Sequence, residues 1–95
     1  MMATEYPELE HLMGGWFHQD YDVEGDTLEE VVAAYLAVAS APQRRTLVED
    51  IERFLRTARD VDGDFQDTFQ PDVIPTGFAP TTREFLERIA ALAKP

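Results

Sequence analysis

Cysteine is missing from this sequence, which excludes a disulfide framework, a thiolate zinc site and a cysteine nucleophile. Serine is almost missing as well: Ser40 is the only one, and its setting between two helical patterns makes it a helix cap. No apolar run approaches the ~20 residues needed to cross a bilayer, so no membrane span is expected. The opening Met1-Met2-Ala3-Thr4-Glu5 lacks the basic segment and apolar stretch of a secretion signal. The expectation is a soluble, cytoplasmic protein, with residues 1–95 forming a single domain. A chain of this length buries roughly 60–68% of its unfolded surface around one core.

Basic residues are scarce: 8 Lys and Arg stand against 19 Asp and Glu, for a formal net charge of -11. They are absent from residues 1 to 43, which hold Glu5, Glu8, Glu10, Asp20, Asp22, Glu24, Asp26, Glu29 and Glu30. From Asp60 to Thr82 the acids again meet no base, whereas arginines cluster between Arg44 and Arg59. Such a chain repels nucleic acid and anionic membranes. It suits a basic partner, because complementary charge speeds association and excludes wrong partners. The blander reading is that the acids keep a small protein soluble.

Periodicity predicts four main helices. Pro7 suits a first helical turn, with Glu8 and Glu10 at the positive end of the dipole. Leu9, Leu12, Met13, Trp16 and Phe17 then form one apolar face to about His18. The opposite face, His11, Gly14, Gly15 and His18, is nearly bare. Each glycine costs about 0.8–1 kcal/mol relative to Ala in a helix interior, so either another backbone or a partner is expected to lie close there.

A second helix opens on the capping box Thr27/Glu30, with Asp26 as the alternative cap, and runs to about Ala39. Leu28, Val31, Val32, Tyr35, Leu36 and Ala39 form its stripe. Ser40 and Gln43 start a third helix, about Ala41 to Arg59, which buries Leu47, Val48, Ile51, Phe54, Leu55 and Ala58. Its arginines are expected to be answered within the helix, through Glu49–Arg53 and Glu52–Arg56 pairs at i, i+4. The last helix starts at Thr81 or Thr82, with Thr81 and Glu84 as another capping box and Phe85, Leu86, Ile89 and Leu92 inward. Between them Asp60 to Pro80 reads as a long, partly ordered loop, an Ω-like segment or short strand pinned by Phe65, Phe69, Val73, Ile74 and Phe78. The fold class is therefore all-α, a compact bundle with that loop before the last helix.

Candidate chemistry is thin. Asp60-x-Asp62-Gly63-Asp64 begins like a calcium loop, but Phe65 falls where the glycine is needed and Pro71 where the bidentate glutamate belongs. His11 and His18 are two turns apart, ~10.5 Å, too far to share a zinc without bending the helix. His18 with Asp20 makes an imidazole–carboxylate pair without a nucleophile nearby. No catalytic residue, metal or cofactor is assigned. His18, Gln19 and Asp20 read as polar groups satisfying a helix end. What remains is an acidic ledge beyond it, Asp20, Tyr21, Asp22, Glu24 and Asp26, with Tyr21 free to meet a partner.

The runs "YPELEHLMGGWFHQDYD", "DTLEEVVAAYL" and "SAPQRRTLVEDIERFL" resemble the small all-helical immunity proteins of bacterial contact-dependent growth inhibition. The shared motif is Trp16, Phe17, His18, Gln19, Asp20 and Tyr21 after a Pro-Glu-Leu helix. The resemblance spans residues 6 to 58 and loosely the last helix; Asp60 to Pro80 lies outside it, and Phe85-Leu86 stands where Trp-Leu is expected. It implies a non-enzymatic cytoplasmic protein that binds and blocks the C-terminal toxin domain of a large exported effector. Such toxins are often nucleases with basic clefts, which the acidic ledge would fit. Two other classes stay open: an acidic adaptor or nucleic-acid mimic inhibiting several basic proteins, and a small metal-assisted hydrolase using His18 and Asp20. The oligomeric state is left open.

Overall fold

The computed structural model describes residues 5–17, 27–70 and 75–94. Its elements are α1 (Pro7–Gly15), α2 (Leu28–Val38), α3 (Ala41–Thr57), α4 (Val61–Phe69), a 3-10 turn (Pro75–Gly77) and α5 (Thr82–Ala93). The described residues form an all-α fold, as the periodicity requires.

Local chemistry sets most boundaries. Thr27 Oγ1 accepts from the Glu30 N–H at 3.1 Å, and Glu30 Oε1 accepts from the Thr27 N–H at 3.2 Å. Ser40 and Gln43 repeat the exchange at 3.2 and 2.8 Å. Each such cap stabilises its helix by about 1 kcal/mol. Because Ala39 ends α2 and Ser40 caps α3, the chain turns between them without a loop. Thr81 Oγ1 caps α5 by accepting from the Glu84 N–H at 3.0 Å. At α1 the helix stops at Gly15, with the Trp16 N–H closing on the Leu12 carbonyl, short of the expected His18.

The segment expected as a loop or strand contains α4. Val61, Phe65 and Phe69 recur at i, i+4 and i+8, a helical stripe of which Phe65 is fully buried. Asp60, Asp62 and Asp64, which imitate a calcium loop in sequence, instead occupy the helix start, where the dipole favours them. Gln70 ends α4 in the left-handed region at φ 44. Phe65 reaches Phe54 and Phe85 with ring centroids at 6.1 and 6.3 Å, and Phe78 reaches Phe17 at 5.4 Å. The pinning expected of Phe65, Phe69 and Phe78 is therefore present; Val73 and Ile74 lie outside the described residues.

Helix α5 packs against α3, α2 and α4, and α1 packs against α3. Thr82, Phe85, Leu86, Ile89, Ala90 and Ala93 form the buried row of α5. Leu92, expected inward, is 39% exposed, because Ala93 takes the core position one residue on. The α3 pairs also differ from expectation. Arg53 turns to the Glu5 carbonyl and to Asp50 rather than to Glu49, and Glu52 lies 3.9 Å from Lys94 rather than pairing with Arg56. Arg44 donates to the Ala93 and Lys94 carbonyls at 3.3 and 3.4 Å, answering the negative end of α5. Tertiary partners win here because they offer bare carbonyls and a buried carboxylate, whereas an exposed i, i+4 pair is worth only a few tenths of a kcal/mol. Among the described residues no helix is long and apolar enough to cross a membrane.

Candidate functional site

Among the described residues the acids of the N-terminal half are Glu5 ahead of α1, Glu8 and Glu10 on α1, and Glu29 and Glu30 at the start of α2. Helix α1 is held by a buried acid from α3: Asp50 Oδ2 accepts from the Glu8 and Leu9 N–H groups at 2.9 and 3.2 Å. Tyr6 precedes the helix and supplies no side-chain cap, so Asp50 does the work of one across a tertiary interface. Arg53 balances it at 3.5 Å and lies 5.0 Å from the Tyr6 ring centroid, while Tyr6 shares a 3.2 Å hydrogen bond with Thr57.

With its start fixed, α1 aims the Glu8 carboxylate at α2. Tyr35 donates to Glu8 Oε2 at 2.6 Å, and His11 Nδ1 approaches the same oxygen at 3.3 Å. Burial, then the hydrogen bond to Glu8 and the nearby carboxylates, push the Tyr35 hydroxyl well above its usual range. It therefore stays a proton donor and offers no base. The half-buried Trp16 meets the His11 and Tyr35 rings edge-on, both at 5.3 Å. Among the described residues no buried side-chain nitrogen or oxygen lacks a hydrogen-bond partner, and no group of three or more His, Asp or Glu is arranged to hold a metal ion. This cluster joins α1 to α2.

Beside it lies the bare side of α1, a shallow groove of about 450 Å³ lined by Pro7, Glu10, His11, Gly14 and Gly15. A Cβ built on Gly14 meets nothing within 4 Å, and one on Gly15 meets only the His11 ring at 3.5 Å. Among the described residues, close approach of another backbone is thus not the reason for these glycines. Glu10 and Glu29 are exposed on the two helices, and Glu30 is committed to its cap.

The ledge residues Asp20, Tyr21, Asp22, Glu24 and Asp26, with His18 and Gln19, lie outside the described residues. The chain on either side of them is firmly held. Phe17 is fully buried against Phe78 and Phe85 at 5.4 and 5.3 Å, and Thr27 is locked in its capping box.

Asp50, Glu8 and Tyr35 escaped the sequence reading as a group. One signal was available: Asp50 falls at i+3 from Leu47 and i−4 from Phe54, an acid on a core row. An acid buried there needs a donor from elsewhere.

Together these features define a small, strongly acidic all-helical protein whose α1 and α2 carry acids and no Lys or Arg. The family model of the CdiI immunity protein matches residues 5–93, and the chain belongs to that family. No curated protein and no solved structure matches it. Membership implies an immunity protein that neutralises a cognate toxin by binding it, a role that calls for no catalysis.

Proposed function

We propose that this immunity protein blocks a basic nuclease toxin by laying its acidic N-terminal half over the cationic cleft that would otherwise hold phosphate. The partner is the C-terminal toxin domain of a large exported effector of contact-dependent growth inhibition, met in the cytoplasm. Neither nucleic acid nor membrane takes part in the contact, and the immunity protein performs no chemistry. The surface centres on Asp20, Tyr21, Asp22, Glu24 and Asp26 and extends onto the open face of α1 around Glu10.

The observation that carries this reading is charge segregation: residues 1 to 43 hold acids from Glu5 to Glu30 and no Lys or Arg. Solubility alone asks for dispersed charge of both signs. A one-sign field instead steers a basic partner and occupies its cationic side chains. The open glycines of α1 support the extension, since they leave a helix side that a partner can approach closely.

The test is affinity for the cognate toxin domain. Asp20→Lys with Asp22→Lys should weaken binding by at least about tenfold and flatten its salt dependence; unchanged affinity would refute the ledge. Gly14→Ala should raise stability by about 0.8–1 kcal/mol, because its methyl meets empty space, yet weaken toxin binding. A stabilised variant that binds as before removes α1 from the surface.

A further inference from the structure

A second groove, of about 470 Å³, runs between α3 and α5 and has the opposite character. Leu55 and Ala91 give it an apolar lining over the buried Ile51, and Arg56, Arg83 and Lys94 bring three of the chain's 8 basic residues to its walls. Glu52 and Glu87 stand among them, but Glu52 is engaged with Lys94 at 3.9 Å. Arg44, Arg53 and Arg88 have partners within the chain. Arg56 and Arg83 have no ion pair or hydrogen bond with any described residue, Glu87 included.

The groove lies away from α1. Asp50 and Phe54 face α1, and Glu52 and Arg56 follow each by two residues, roughly 200° around α3. On α5, Arg83, Glu87, Ala91 and Lys94 follow one another at spacings of four, four and three, so one side of the helix faces the groove along its length. Alanines in mid-groove let an incoming chain approach closely. The volume falls in the ordinary range for a binding cleft, roughly 300–1,000 Å³.

We propose that this groove docks an acidic peptide segment of a protein partner, one that seats a Leu- or Phe-sized side chain over Leu55 and Ala91 and brings carboxylates to Arg56 and Arg83. Planar guanidinium groups donate paired hydrogen bonds to carboxylates. The apolar lining supplies burial that a free anion could not use. A nucleic acid strand is disfavoured because its continuous run of phosphates would meet Glu52 and Glu87 and it brings no Leu- or Phe-sized side chain to the apolar lining. The α3–α5 groove and the open face of α1 thus lie on different sides of α3.

The test uses the full chain, isotope-labelled, titrated with a short synthetic peptide carrying Leu and Phe among Glu residues, and with its counterpart in which every Glu is Lys. The Glu peptide should shift the amide signals of Leu55, Arg56, Arg83 and Ala91, and binding should weaken roughly fivefold between about 0.05 and 0.3 M salt. Arg56→Glu with Arg83→Glu should lower its affinity at least about tenfold. The milder Arg56→Gln with Arg83→Gln should follow in the same direction while circular dichroism stays unchanged. Asp20→Lys with Asp22→Lys should leave the peptide's affinity intact, which separates this surface from the ledge. Equal binding of the Lys peptide, shifts confined to α1 and α2, or full affinity in the arginine variants would overturn the proposal. Self-association in sedimentation that disappears in those variants would also overturn it, by making the occupant a second copy of this chain.

Discussion

Asp50 joins two helices through one carboxylate, and its removal tests whether α1 stands on its own. Replacing it with Ala leaves the Glu8 and Leu9 N–H groups without their acceptor at the start of α1. Bonds to a charged acceptor are worth about 1.5–3 kcal/mol each, and part of that loss is recovered when water enters. Asp50→Ala should therefore lower stability by about 2–3 kcal/mol in urea denaturation, and Asp50→Asn, which keeps an acceptor oxygen, by less. Equal losses would mean that the negative charge, rather than the hydrogen bonds, anchors α1. Tyr35 makes a different prediction. Its hydroxyl is held protonated above the ~10 of an unfolded tyrosine. The folded state therefore keeps a proton that the unfolded chain loses, so the contribution is complete below pH ~10 and declines as pH rises further. The stability gap between the native chain and Tyr35→Phe should narrow above pH ~10; a constant gap through that range would contradict the assignment.

At the scale of elements, α4 shows how a helix can hide. Gly63 lowers its propensity, and its acids mimic a metal loop, yet Val61, Phe65 and Phe69 keep the helical spacing. A nine-residue helix is marginal alone, so burial of Phe65 against Phe54 and Phe85 is what makes it form. Phe65→Ala should then cost about 3–5 kcal/mol and remove the helical signal of α4 by amide exchange. A loss below about 1 kcal/mol, as expected of a surface loop, would contradict the packing. The caps at Thr27, Ser40 and Thr81 were legible because each links groups three residues apart. The α3 arginines were not, because a sequence shows Arg53 the Glu49 carboxylate on its own helix but not the Glu5 backbone carbonyl ahead of α1.

Across the whole molecule, α1, α2, α3, α4 and α5 contribute to one core cluster that runs from Tyr6 to Ala93. We expect a single cooperative unit. The chain's one Trp, Trp16, reports on the contact between α1 and α2, while far-ultraviolet circular dichroism reports on every helix. The two unfolding curves in urea should coincide. Earlier loss of the Trp16 signal would mean that α1 detaches before the rest. Charge also acts at this scale. Bases enter only from Arg44 onward, so α1 and α2 carry acids alone, while α3 and α5 border the groove with Arg56, Arg83 and Lys94.

By itself the sequence determined the all-helical class, three helix starts, the apolar rows of α2 and α3 and the segregation of charge. These depend on spacing, on caps within one turn and on counting, all of which are local or additive. The motif around Trp16 and His18 also pointed to the immunity family that the match over residues 5–93 shows. Only the tertiary structure decided that Asp50 anchors α1, that Tyr35 and His11 share the Glu8 carboxylate, that α4 is a helix and that Leu92 faces out. The Asp50 and Tyr35 contacts join residues 42 and 27 positions from Glu8. Which helix meets which is settled by burying several apolar faces at once, and no single face states its partner.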